Sequence, residues 1–526
     1  MSTRRELLVG LLGLPLALTA CRAPRSVPGS IRGARLEVGH RLLEAKLGQA
    51  PSQAERTTVA IVGAGPSGLA AAWRLEQLGI RDYRVFDLER LVGGTSASGR
   101  DGVVPYPWGA HYVPLPRADN PKLLQLLEEV GAVRQEANGP RALERVRVRS
   151  PEERLFIDER WVEGLFPSSR ATPADQRELE RFEQEIARLT KFRDERGRPA
   201  FTLPMRECSD AAELVALDRI SAADWLSQRG IRSPLVHWYA EYACRDDYGA
   251  SLAQTSAWAM LFYFAARKGG SDADSAPFLT WPEGNGRIVA RLNDVVGQRL
   301  SLNRLVTEVS QDASGVELSV LDVAAEQLLR VRADYVILAL PKLVVSRILR
   351  GAELEHLSQF RYAAWLVANL HLKQRPRSRG FPFAWDNVLY DSPALGYVVA
   401  THQTLADHGP TIWTYYRPLW EHDERTARSL LRSLDHETAV AGVLTDLERA
   451  HTGLLSAIER VDVYRWGHAM VTPQPGLIWG AARKRALAPV GRVHFAHSDL
   501  SGLPLLEEAF DRGLLAAEAV FQAQLG

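Results

Sequence analysis

The apolar and polar positions divide the chain into segments of two kinds. Val59, Ala60, Ile61 and Val62 make a short unbroken apolar run, the pattern of a strand buried on both faces of a parallel sheet. Gly63-Ala64-Gly65-Pro66-Ser67-Gly68 follows at once, and then Leu69, Ala72, Leu75 and Leu78 recur at helical spacing until Gly79 stops the helix. Tyr83 to Phe86 is a second strand, closed by Asp87. From Asn120 to about Gly270 the pattern turns helical, with Leu123, Leu124, Leu127 and Val130 on one face, a charged helix over Pro173–Arg193, and apolar faces over Ala222–Gln228 and Ala253–Ala266. Strands are predicted at Leu302–Val309, in a hairpin from Val316 to Arg332, and in the buried run Ala333–Leu340 that Pro341 stops. Further strands are predicted at Trp365–Leu372, Ile412–Tyr416 and Val493–Phe495, with a helix opening at Glu507. The expected fold class is α/β: a Rossmann-like nucleotide domain interleaved with an α+β substrate domain.

Composition narrows this little. At 526 residues, 46% hydrophobic and 24% charged, the chain holds enough apolar material for two substantial cores. Its 64 basic and 63 acidic residues leave a net charge of +1, so no overall field draws nucleic acid or an anionic membrane. Cys208 and Cys244 show no CxxC spacing and read as two separately packed thiols, and no metal site is suggested. Residues 1–21 read as an address. Arg4-Arg5 followed by an apolar run too short to span a bilayer resembles a twin-arginine signal, and Leu18-Thr19-Ala20-Cys21 resembles a lipobox. The expectation is export to the periplasm or cell envelope, with a lipid anchor at Cys21 and residues 22–56 as a linker.

The chemistry begins at the glycine turn. Gly63 permits the tight turn, Gly65 lets backbone approach a pyrophosphate, Gly68 lets the helix sit close to the strand, and Ser67 lies in the first helical turn. Asp87, nineteen residues after Gly68, suits the two ribose hydroxyls of an adenosine and repels a phosphorylated ribose. The turn alone leaves FAD and NAD both open.

Leu91-Val92-Gly93-Gly94, a glycine pair directly behind the acid, resembles the flavin-containing amine oxidoreductase superfamily, which includes monoamine and polyamine oxidases, protoporphyrinogen oxidases and phytoene desaturases. The resemblance implies FAD. It places Thr95 where relatives carry an arginine, Gly109-Ala110-His111 in a loop near the flavin ring, and Val306 against the adenine. Ala333-Asp334-Tyr335-Val336-Ile337-Leu338-Ala339-Leu340-Pro341 resembles a similarly placed strand of the family. Asp499 then takes the place of an acid beside the ribityl chain and pyrophosphate, and Glu508 opens a helix that points at the ring. The implied FAD-binding parts are 57–115, 275–345 and 461–526, and the substrate parts are 116–274 and 346–460.

Against the same family pattern, Val367 stands where amine oxidases carry a lysine, and Met470 and Leu505 stand where they carry a pair of aromatic rings. Ala469 replaces the cysteine that bonds the flavin in some relatives, so FAD is expected to be non-covalent. His111, His468 and Trp466 are the candidate pocket residues. The expected function is hydride transfer to flavin from an amine or another hydrophobic small molecule. An isoprenoid or tetrapyrrole desaturase or isomerase is the alternative within chemistry, and a flavin-bearing assembly factor the alternative outside it.

Overall fold

The computed structural model describes residues 27–43, 53–267 and 277–525. The signal-like residues 1–21, Cys21 among them, lie outside this range. Two large sheets organise the rest. The first runs in the order Leu300–Ser301, Tyr83–Phe86, Ala54–Val62, Gln327–Leu338, Gly315–Asp322, Arg304–Asp312, with Val493–Phe495 also paired to Gln327–Leu338. Its central strands are parallel, with Ile61 in register with Val85 on one side and Ile337 on the other. Each is apolar on both faces, one packed on helices and the other on residues of the Arg304–Asp312 and Gly315–Asp322 strands and of the helix Lys342–Ile348. Pro66–Gln77 and Leu506–Leu525 cross on one face, where Gly513 lets them touch: a Cβ there would stand 2.2 Å from the Ser67 carbonyl oxygen.

The second sheet has eight strands, in the order Ile31–Gly33, Ile458–Val471, Tyr362–Leu372, Thr411–Pro418, Tyr397–Val399, Asp386–Leu389, Glu153–Ile157, Arg160–Glu163. Helices Glu424–Ser433 and His436–Leu447 cover one face. The other face meets the nucleotide domain. A helical layer built from Pro173–Lys191, Ala222–Gln228, Pro234–Tyr248 and Ala257–Phe262 packs beside both sheets around Trp225, Trp258 and Phe262.

Several expectations are corrected by long-range pairing. The segment expected to be helical contains the strands Glu153–Ile157 and Arg160–Glu163, which join the eight-stranded sheet through Asp386–Leu389. The boundary expected at 460 falls inside the Ile458–Val471 strand, which pairs with Tyr362–Leu372 along most of its length. The second arm of the hairpin and the strand after it are one element, Gln327–Leu338. Its Ala333 pairs with Val316 on one side and Thr57 on the other, and nothing at Arg332-Ala333 turns the chain. The helix expected from Ala253 begins at Ala257, because Ser256 caps it by accepting from the Ala259 amide at 3.2 Å. Pro173–Lys191, expected as a charged helix running to Arg193, ends at Lys191, buries Phe182 and Leu189 and starts on a capping box between Thr172 and Asp175. Residues 27–43 of the expected linker are docked on the body, with Ile31–Gly33 forming an edge strand.

Replacing Gly513 by valine drives a branched side chain into the Ser67 carbonyl. We expect a loss of about 1–3 kcal/mol, the usual range for overpacking, measured by urea unfolding of the flavin-free protein.

Candidate functional site

The glycine turn divides its labour as the spacing predicts. Gly63 has φ +104° and a Cβ there would stand 2.5 Å from the Ala339 carbonyl oxygen, while one on Gly68 would stand 1.8 Å from the Gly63 oxygen. Gly65 differs from both. It caps the Pro66–Gln77 helix, and a Cβ on it meets nothing within 4 Å. An open space therefore lies against a helix N-terminus, with the Ser67 Oγ beside it buried and without a hydrogen-bond partner. The residues fit a dinucleotide pyrophosphate.

Asp87 orders the edge of this space. Its two carboxylate oxygens accept from the amides of Ala64 at 2.6 Å and Glu89 at 2.7 Å, and burial raises its pKa above the ordinary carboxylate value. The glycine pair closes over the turn. The Gly93 amide donates to the Ala64 carbonyl at 2.9 Å, and Gly93 and Gly94 hold φ values of +114° and +53° that favour glycine. Thr95 reaches the next loop through its backbone, its carbonyl accepting from the Ala110 amide at 2.9 Å. Gly109 is required there because a Cβ would sit 2.3 Å from that same oxygen. On the opposite edge, the ladder of Arg304–Asp312 breaks between Val306 and Glu308, and Arg304 donates its amide to the Asp87 carbonyl at 2.8 Å.

Asp499 is fully buried. Burial works against its charge, but His497 at 2.9 Å, the Tyr362 hydroxyl at 2.5 Å and the Lys342 amide at 2.8 Å together hold its carboxyl below the ordinary value. His497 reaches it from a backbone at φ +152°, a region L residues rarely adopt. The Lys342 Nζ, buried without a hydrogen-bond partner, sits 4.8 Å over the Phe495 ring, and burial pushes its pKa down to about 8.

The loop carrying His111 is held by the eight-stranded sheet. Asn369 Nδ2 donates to the Pro107 carbonyl at 3.0 Å, Trp466 Nε1 to Trp108 at 2.7 Å and the Tyr416 hydroxyl to Gly109 at 2.8 Å. His111 then stacks on Tyr416 at 4.9 Å, with Trp385 at 5.4 Å and Tyr112 at 5.0 Å. Beyond these rings lie three carboxylates. Asp386 and Glu153 are register neighbours on parallel strands, and Asp386 accepts from the Tyr242 hydroxyl at 3.2 Å. Burial first, and then the charges of Asp246 and Glu153, raise the Asp386 pKa well above its ordinary value.

Residues 66–521 match the family model described as flavin containing amine oxidoreductase. The chain belongs to that family. A search of curated proteins found no match. Among solved structures, a putrescine oxidase bound to putrescine is 19% identical with a TM-score of 0.66, covering 89% of this chain and 100% of its own. A cyclohexylamine oxidase from Brevibacterium oxydans is 18% identical with a TM-score of 0.64 and the same coverage. A fatty acid isomerase from P. acnes is 14% identical with a TM-score of 0.60, covering 88% of this chain and 98% of its own. These likenesses concern the two-domain α/β fold, and the family makes the chain a flavin oxidoreductase.

Of the sequence-predicted residues, Gly63, Gly65, Ser67, Gly68, Asp87, Gly93, Gly94, Thr95, Gly109 and Ala110 lie in one connected run of backbone contacts. Glu508 lies in the first turn of the Leu506–Leu525 helix. Its carboxylate accepts from the Met205 amide at 2.5 Å, within the helical layer, and burial pushes its pKa up to about 7. His111 and Trp466 share the loop clamp, whereas His468 is exposed near Tyr362, at 6.0 Å between rings, on an irregular stretch of its strand. Val367, in the lysine's place, lies in the same core as Tyr416 and Trp385. Sequence reading missed Tyr416, Trp385, Asp386 and Glu153.

Gly65→Ala puts a Cβ into the open space with no protein atom within 4 Å of it. The variant should fold with an unchanged melting temperature in its flavin-free form and purify without the visible flavin bands that the wild type shows.

Proposed function

We propose that this protein is an oxidoreductase that binds FAD non-covalently and oxidises an amine carrying a positive charge and apolar bulk. The observation that carries this reading is the placement of Asp386 and Glu153 side by side in the sheet, with Asp246 near them, beneath aromatic rings. Like charges in register weaken a sheet, and a cation between them reverses the sign of that interaction. Tyr416, Trp385, Tyr112 and Tyr242 give the same recess ring faces and edges suited to a cation. When bound, the flavin accepts the hydride.

The protein's own share is orientation and charge. The carboxylates draw the ammonium end in, and the rings exclude water. His111, stacked on Tyr416, supplies a ring nitrogen to take the amine's proton before its neighbouring carbon reacts. Val367 brings no titratable group to this face, and His111 carries that task. Non-covalent attachment is supported by the absence of a nucleophile at Ala469 and by the burial of Cys208 and Cys244 in the helical core. For residues 1–21 we propose the twin-arginine, lipid-anchored export expected from the sequence.

Anaerobic mixing with mono- and diamines should bleach the flavin, while polyprenyl and porphyrinogen substrates leave it oxidised. Bleaching by the neutral substrates alone contradicts the reading. Asp386→Asn should raise KM for a diamine about tenfold, near 1.4 kcal/mol, with kcat little changed. Because the Asp386 pKa is raised, its charge is lost as pH falls through that value. The wild-type kcat/KM therefore declines on the acid side more steeply than that of the variant, which keeps only the limb that His111 gives. Cys21→Ala should release the protein from membranes in a cell fractionation, and continued attachment contradicts lipidation.

A further inference from the structure

The stretch Val27–Leu43 precedes the family-matched residues, yet it joins the two sheets at the nucleotide end of the groove. Its first half belongs to the eight-stranded sheet. Ile31–Gly33 runs parallel to Val463–Arg465, the Val461 and Val463 amides donate to the carbonyls of Pro28 and Ser30, and Ser30 Oγ donates to Asp462 at 2.7 Å. Val27 and Ile31 pack against that sheet's core. Gly29 is needed for the close approach, since a Cβ on it would stand 1.8 Å from the Val461 oxygen.

The second half belongs to the nucleotide domain. The Arg35 amide donates to Glu89 Oε1 at 3.0 Å, and its Nη1 donates to the Leu88 carbonyl at 3.3 Å and to Asn303 Oδ1 at 2.9 Å. Gly39 approaches Leu88, Leu42 packs against the nucleotide sheet's core, and Arg41 pairs with Glu326 at 2.8 Å. Leu88 and Glu89 directly follow Asp87, and Asn303 lies three residues before Val306, so Arg35 is tied to both flanks of the adenosine position. Between its two anchors the chain also carries Arg32 over the Trp108 ring at 5.8 Å, above the loop that leads to His111.

We propose that residues 27–43 are a strap that closes the adenosine end of the cofactor groove, with Arg35 as the positioning residue that keeps FAD in place once it has entered. The inference rests on the FAD reading above. A strap tied to both sheets must lift from at least one for the nucleotide to leave, so its hold adds to the barrier for release. The two bonds from Arg35 Nη1, to the Leu88 carbonyl and Asn303 Oδ1, are contacts on the nucleotide side that a single substitution removes while leaving the Arg35 amide, Asp87 and the glycine turn untouched.

The test is the release rate of flavin from purified holoprotein, followed by the rise of free-flavin fluorescence after dilution. Arg35→Ala should release FAD at least tenfold faster than wild type, and Arg35→Lys, which keeps the charge and loses the fork, should fall between them. The melting temperature of the flavin-free Arg35→Ala protein should match that of the flavin-free wild type, since the strap's sheet pairing survives. An unchanged release rate overturns the proposal while leaving the cofactor reading intact. A loss of melting temperature in the flavin-free variant equal to that in the holoprotein also overturns it, because the contact is then structural only. Folded wild-type protein that purifies colourless and takes up no FAD when FAD is added overturns both.

Discussion

The arrangement depends on how the loop Pro107–Gly109 is held. Three successive carbonyls take hydrogen bonds from Asn369, Trp466 and Tyr416, one side chain from each of three neighbouring strands. Each such bond contributes about 0.5–1.5 kcal/mol net, and their geometric effect is larger than their sum suggests. The same loop is bonded back to Thr95 and Ala97, and the Gly93 amide is bonded to Ala64 in the glycine turn. A continuous series of backbone contacts thus fixes the distance from the pyrophosphate position to the substrate sheet. Substituting Gly109 would put a side chain into that series at its narrowest point, which is why the site tolerates no bulk there.

The charges around the groove are distributed unevenly, and each has a local cause. Asp499 keeps its charge in full burial because it takes bonds from His497, Tyr362 and the Lys342 amide. Glu508 and Asp386 do not have enough compensation, and burial raises both. Strain accompanies the first arrangement, since His497 adopts a backbone conformation that glycine adopts more easily. A fold selected for stability alone would not place Glu153 beside Asp386 or His497 at that turn, and such conflicts between local rule and structure gather at working sites.

The glycine turn, its helix and Asp87 were legible because their signal is local: a strand, a turn and an acid within about thirty residues of sequence. The helices Ala222–Gln228 and Pro121–Glu129 were legible for the same reason. Glu153 opposite Asp386 was not, because the pairing joins segments more than two hundred residues apart and neither strand has a distinctive pattern. The Ile458–Val471 strand was divided in the reading because Arg460, Asp462 and Arg465 interrupt its apolar run, although each is partnered in the fold, Arg460 by Asp462, Asp462 by Ser30 and Arg465 by the Leu431 carbonyl of the covering helix. Residues 27–43 read as a linker from their Arg, Pro and Gly content, and only pairing with a strand far along the chain makes them part of the body. Glu508 was placed by family likeness, and its bond from the Met205 amide comes from a segment three hundred residues away that local pattern does not reveal.

The account stands or falls on the groove against Gly65, and the most direct measurement is the visible spectrum of the purified protein followed by acid precipitation and identification of the released nucleotide. One FAD per chain, released into the supernatant without proteolysis, is the predicted result. A folded protein that is colourless, or one whose nucleotide is NAD, would contradict it.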